Sequence, residues 1–233
     1  MAAREAWFLL ILALLMFGCA SEETRDHPKE NLKPDGDRDH IDYSEVDFGN
    51  VSERVVFFAE LDRNLKLWRE ARSANRHEIA QPTELVLKEL VRSNLSQLVE
   101  ILRSGPHNER LIATMALGFS NDSRVLTPLL DQLREPDPDL RIHALNALGI
   151  LHDPDTPLEP ILAGLADSDP AVRAAAAFTL GGVVPPRTDK GALIPLLKLT
   201  QDPDTRVRAN AVASLGLLGN HMATKTITSN SLF

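Results

Sequence analysis

The chain has 233 residues, 43% hydrophobic and 25% charged, which allows one extended domain or two small ones. Aromatics are scarce at 5% while Ala and Leu abound, which disfavours a β-sandwich and favours helix-on-helix packing. The formal net charge of -8 steers away from phosphate backbones, so no nucleic-acid partner is expected, and a lone cysteine allows neither an internal disulfide nor a cysteine metal cluster.

Residues 6–17, AWFLLILALLMF, are an unbroken apolar run with Arg4 ahead of it and Gly18, Cys19, Ala20 and Ser21 behind. The run is shorter than the roughly 18 residues of a spanning helix. A charged start, a short apolar centre and a small-residue exit predict a secretory leader over residues 1–18. Met16-Phe17-Gly18-Cys19 resembles the lipobox of bacterial lipoproteins, with Phe17 as its departure from that pattern. The resemblance implies cleavage before Cys19, a diacylglyceryl thioether on its sulfur and a lipid-anchored protein of the bacterial cell envelope. Each buried methylene then contributes about 0.8 kcal/mol to membrane attachment. Ala20 and Ser21, without an Asp directly after Cys19, suit sorting to the outer rather than the inner membrane. An ordinary leader with a chance cysteine and an uncleaved anchor are the alternatives.

Residues 19–50 follow as an acidic tract with few core-forming side chains, expected to be a charge-extended, disordered linker. Its Asp35-Gly36-Asp37-Arg38-Asp39 fails as a calcium loop, because His40 stands where Gly is needed and Val46 where the bidentate Glu belongs. Ser52 then predicts the cap of a helix reaching Ala71, with Phe58, Leu61, Leu65 and Trp68 at helical spacing. Pro82 and Thr83 predict the start of a second helix. Residues 51–93 do not share the pattern that comes next and are expected to form an N-terminal helical cap.

From residue 94 to 219 the chain repeats itself. In register the units are QLVEILRSGPHNERLIATMALG (97–118), PLLDQLREPDPDLRIHALNALG (128–149), PILAGLADSDPAVRAAAAFTLG (160–181) and PLLKLTQDPDTRVRANAVASLG (195–216). Arg110, Arg141, Arg173 and Arg208 stand thirteen residues after each start, and Gly118, Gly149, Gly181 and Gly216 eight residues later. Spacing is fixed inside units and varies only between them, which marks a supersecondary repeat. Each unit predicts two helices. Proline is tolerated at the start of the first. An Asp in the intervening turn can cap the second. A single hairpin cannot bury its apolar face, so stacking is required.

The PLL starts, the D-x-x-VR turn entries and the ALG ends resemble the HEAT-repeat superfamily, in the short bacterial form related to phycobilisome-lyase HEAT-like repeats. The resemblance implies an all-α, right-handed α-solenoid of about four helical hairpins. It also implies a structural ladder between repeats, in which Arg110, Arg141, Arg173 and Arg208 take part with Asp137, Asp169 and Asp204 nearby. His107 and Asn108 leave the first rung open to doubt.

No catalytic constellation emerges. The seven histidines show no metal-ligand spacing, and neither a phosphate-cradling glycine loop nor a G-x-S-x-G elbow occurs. No enzyme activity, metal or cofactor is therefore expected, and lyase-like or cofactor-handling function does not follow from the repeat alone. With about 100° per residue, the helical positions one, two and five after each arginine point away from the core. They place Leu111, Ile112, Met115, Ile142, His143, Asn146 and Phe178 on a groove-lining strip, a candidate site for a protein or peptide. The alternative is that the N-terminal helices, the tail or tight curvature cover it. Residues 220–233 carry no PLL start and are expected to be an irregular tail. The end of the stack would then fold under that tail, associate with another chain or stand open as the mark of a truncated gene, and a purely structural oligomer is a further alternative.

Overall fold

The computed structural model describes residues 46–184 and 191–218. Among these residues there are ten α-helices and one 3-10 turn, and no strand. The chain is an all-α solenoid built of helical hairpins. Cys19, the leader 1–18, most of the tether 19–50 and the tail 220–233 lie outside the described residues.

Helix α1 (Val51–Ser73) and helix α2 (His77–Ser93) pair as an antiparallel hairpin. The cap of α1 is Asn50 rather than Ser52: the Asn50 side chain accepts the Ser52 N–H at 3.0 Å, and Glu53 reaches back to accept the Asp47 N–H. Helix α2 starts five residues before Pro82, so the proline lies inside it rather than at its start. Proline there removes one backbone donor. The Thr83 hydroxyl beside it donates to the Ile79 carbonyl at 2.8 Å.

Four hairpins follow. Their first helices are α3 (Leu95–Ser104), α5 (Leu126–Gln132), α7 (Glu159–Gly164) and α9 (Leu193–Leu199). Their second helices are α4 (His107–Leu117), α6 (Pro138–Leu151), α8 (Pro170–Val183) and α10 (Thr205–Leu217). The proline pattern explains the boundaries. Pro138 and Pro170 occupy first-turn positions, where a missing N–H costs nothing.

The second helices form the spine. α4 packs on α6, α6 on α8 and α8 on α10, while α1 lies against the free side of α4. The approach is close enough to require glycine. A Cβ on Gly118 would meet the Ala147 carbonyl oxygen at 2.8 Å, and one on Gly181 would meet Ser214 Oγ at 2.6 Å. Short polar side chains bond across the same crossings: Ser214 Oγ donates to the Ala177 carbonyl at 2.7 Å, and Asn210 Nδ2 to the Ala174 carbonyl at 3.1 Å. The Thr179 hydroxyl lies 2.8 Å from the Leu145 carbonyl. These buried bonds fix the register of neighbouring hairpins, because a slip would leave the same groups unsatisfied.

The fourth conserved position of the internal repeat behaves differently. Nothing among the described residues lies within 4 Å of a Cβ on Gly216, and Gly216 is exposed. Gly181→Ala is therefore expected to destabilise the fold by about 1–3 kcal/mol through overpacking. Gly216→Ala is expected to be neutral or to stabilise by about 1 kcal/mol through helix propensity. Thermal unfolding of the two variants, followed by circular dichroism, separates these outcomes.

Candidate functional site

Each turn between paired helices from the second hairpin onward carries two acidic residues, and they do different work. Asp137, Asp169 and Asp204 are the N-caps of α6, α8 and α10, accepting N–H groups of Asp139, Ala171 and Arg206 at 2.8 ± 0.1 Å. Four residues after each cap stands the repeat arginine. At Arg141 and Arg173 the guanidinium turns back to its own hairpin's turn and forward to the next, whereas Arg208 makes the backward bonds, to the Asp202 and Pro203 carbonyls, and turns its Nη2 to Thr205 Oγ1 of its own helix.

Arg173 shows the full arrangement. Its Nη1 donates to the carbonyls of Asp167 and Ser168, while Nε and Nη2 donate in a fork to both oxygens of Asp202, each at 2.9 Å. Arg141 repeats it, with Nη1 on the Glu135 and Pro136 carbonyls and the fork on Asp167 at 2.9 and 3.0 Å. Arg110 donates to the Leu102 carbonyl, to Gln132 Oε1 and to Glu135 Oε1. The first rung is thus present despite the His107-Asn108 turn. Its carboxylate comes from the second hairpin.

The rung carboxylates are therefore Glu135, Asp167 and Asp202, two residues before the aspartates expected from sequence. Asp137, Asp169 and Asp204 are occupied as caps, which aims them at the backbone of their own helix. The two roles are linked, since Asp167 Oδ1 also accepts the Asp169 N–H and Asp202 Oδ1 the Asp204 N–H, both at 2.9 Å. One carboxylate thereby ties the previous hairpin's arginine to its own helix cap.

Sequence reasoning also missed a rung. Arg54 is the fourth residue of α1, as the repeat arginines are of theirs, and its Nη2 lies 2.7 Å from Glu109 Oε2 of α4. The cap is therefore joined to the stack by the same type of bond. The signal was Asn50, a capping residue four positions ahead of an arginine.

Charge within the rungs is stabilised by these bonds. The Arg173 fork holds the Asp202 carboxyl below the ordinary carboxylate range, aided by the Asp204 N–H and opposed by burial. At Asp167 burial works upward, and the Asp169 N–H with Arg141 outweighs it to lower the pKa. Asp202 in turn raises Arg173.

The expected partner-binding strip is less open than the helical wheel implies. Met115 and Phe178 are buried, at 8% and 6% exposure. Leu111, Ile112, Ile142, His143 and Asn146 are half-buried. The reason is lateral packing. A second helix inside a stack is flanked on both sides, so positions one and two after the arginine face neighbours, as the Asn210–Ala174 bond shows. Phe178 lies over α6, close to Gly149. α1 closes the side of α4, with Trp68 edge-on to Phe119 at 4.9 Å. His143 Nδ1 donates to the Asp139 carbonyl at 2.7 Å, and burial first of all depresses its pKa. Its proton is thus committed within its own helix.

A cleft of ≈ 370 Å³ lies where α1 begins, beside α3, lined by Phe48, Arg54, Gln97, Glu100, Ile101 and Pro106 among others. Its guanidinium is already engaged by Glu109. Among the described residues no group of three or more His, Cys, Asp or Glu could hold a metal ion, and no helix is long and apolar enough to cross a membrane.

The model of the family described as HEAT repeats matches residues 95–157 and 158–230. A search of curated proteins finds no match.

The lowered carboxyl pKa values make the rungs sensitive to acid. A carboxylate whose folded pKa lies below its unfolded value adds stability above about pH 4, and that stability is lost as pH falls through the folded pKa. The melting temperature is expected to fall between pH 5 and pH 3. Asp202→Asn is expected to lose about 2–3 kcal/mol at neutral pH and to flatten this acid limb. Melting curves across pH for both proteins provide the check.

Proposed function

Because the chain belongs to the HEAT-repeat family, whose repeats generally mediate protein–protein interaction, we propose that it is a non-enzymatic scaffold, lipid-anchored in the bacterial cell envelope. Cys19 is the attachment point, the acidic residues 20–45 are the tether, and the solenoid is the part that meets another protein; residues 46–50, expected in the linker, belong to the fold, with Phe48 edge-on to Phe57 and Asn50 capping α1. The observation that carries the reading is the position of the only cysteine. It stands at the end of the apolar run 6–17 and ahead of an acidic tract and a repeat domain, where lipid attachment uses it. The interior of the solenoid supports a binding rather than a catalytic role. Rungs and caps engage four of its ionisable groups, Arg141, Arg173, Asp167 and Asp202.

A lipid anchor holds by the number of methylenes it buries, at about 0.8 kcal/mol each, so it is lost outright when the thiol is removed. The full chain expressed in a bacterium and fed a labelled fatty acid is expected to carry the label and to sediment with membranes. Cys19→Ser is expected to do neither. A Cys19→Ser protein that is still labelled or still membrane-bound would contradict the anchor. Cross-linking in the intact envelope is expected to join the solenoid to a discrete protein, and its failure to do so would contradict the scaffold.

A further inference from the structure

The four hairpins are not joined equally. Arg141 and Arg173 each reach the following hairpin through two nitrogens, on both oxygens of an aspartate. Arg110 crosses to the second hairpin through Nη2 alone, which meets one oxygen of Glu135 and Gln132 Oε1, while its Nε stays on the Leu102 carbonyl of its own hairpin. The difference lies in one methylene. An aspartate folds its carboxylate onto the N–H two residues on, as Asp167 and Asp202 do, and so meets its arginine already oriented. Glu135 has the longer side chain, and among the described residues no N–H holds its carboxylate. Its side chain is 30% exposed, against 15% for Asp167 and 7% for Asp202.

The spine shows the same inequality through different residues. Thr179 ties α8 to the Leu145 carbonyl of α6, and Ser214 and Asn210 tie α10 to the Ala177 and Ala174 carbonyls of α8. On α6 the residues equivalent to Ser214 and Asn210 are Ala147 and His143. Ala147 has no side-chain donor, and His143 Nδ1 is spent on the Asp139 carbonyl of its own helix. Among the described residues no side chain of α6 bonds the backbone of α4. Burial agrees. Leu111 and Ile112 on α4 and Ile142, His143 and Asn146 on α6 are half-buried, whereas Ala174, Ala175 and Phe178 on α8 are buried. His107 Nδ1 stands 3.5 Å from Asp137 Oδ2 across this joint, but a contact that long with an imidazole 58% exposed adds little. What remains is the approach of Gly118 to Ala147 and apolar packing, which is non-directional and does not fix an angle.

We propose that the joint between α4 and α6 is the hinge of the repeat stack, about which the first hairpin turns against the second while the second, third and fourth move as one body. Rung and spine bonds set the angle between hairpins at the later joints. At the first, both are reduced together, so rotation there breaks the fewest directional bonds. The motion changes the curvature of the stack at one place and parts or closes the half-buried residues of α4 and α6.

The repeat supplies a matched test. Glu100, Asp131, Ala163 and Lys198 occupy equivalent positions on α3, α5, α7 and α9, and all four are exposed. Two pairs of spin labels, at positions 100 and 163 or 131 and 198, each span three hairpins, about 20 Å at the usual helix spacing. They share the joint between the second and third hairpins and differ only in the other one. Each pair is introduced as cysteines into the full chain in detergent, with Cys19→Ser so that only those thiols take label. Pulsed electron paramagnetic resonance is expected to give a broader distance distribution for 100–163 than for 131–198. Ala147→Ser with His143→Asn, which restores the donors found at the last crossing, is expected to narrow the first distribution and leave the second unchanged. Equal widths, or a broader 131–198 distribution, would overturn the proposal. The comparison between the two pairs stands whether or not the variant folds.

Discussion

An arginine that serves two hairpins at once is the constraint on which the stack depends. Its backward donors satisfy carbonyls of its own turn, and its forward fork takes a carboxylate of the next turn. Neither hairpin alone can complete that set. A surface ion pair of this kind is worth little in isolation. Here the guanidinium is pre-ordered by two carbonyls, and the carboxylate by an N–H of its own chain, so little conformational freedom remains to be lost when they meet. At Arg173 and Asp202 the side chains are only 15% and 7% exposed, which shields the pair from solvent screening.

The rungs govern one edge of the solenoid, and the glycine crossings govern its spine. Small residues bring second helices together until side-chain hydroxyls reach the neighbour's backbone, as Ser214 and Thr179 do. Apolar burial supplies most of the attraction between hairpins. The polar bonds and the glycines restrict it to one register. This division explains why spacing inside a unit is invariant while the connections between units vary in length. Arginine, cap and glycine must coincide with their partners on the next hairpin, whereas the linking segment only has to span the gap.

Much of this was legible from the sequence, because a fixed interval between Arg and Gly repeats four times. The helix pairs, the capping aspartates and the ladder arginines follow from it. Less legible was the choice between two acidic residues in each turn. Asp167 and Asp169 are both near Arg173 in sequence, yet the first serves Arg141 of the preceding unit and the second caps its own helix. Sequence distance does not report on a partner 26 residues away. Arg54 escaped because α1 is longer than the repeat helices and its turn, DFGN, looks unlike theirs. The strip with Met115 and Phe178 was misjudged because a helical wheel treats one helix with one buried face. A helix in a stack has neighbours on both flanks. The residues before 46 lie beyond what the fold describes, so the role of Cys19 rests on its place in the sequence.

A stack of this design is held by rungs that each join two hairpins. Each takes its cation from one hairpin and its carboxylate from the next, as Arg141 with Asp167 and Arg173 with Asp202 do. That view stands or falls on whether the arginine truly couples adjacent hairpins. A double-mutant cycle on Arg141→Gln and Asp167→Asn, read by denaturant unfolding, tests it most directly. The account predicts a coupling of about 1–3 kcal/mol, with the double variant scarcely worse than the more damaging single one. Additive losses with coupling near zero would show that each side chain stabilises only its own hairpin, and would contradict the ladder.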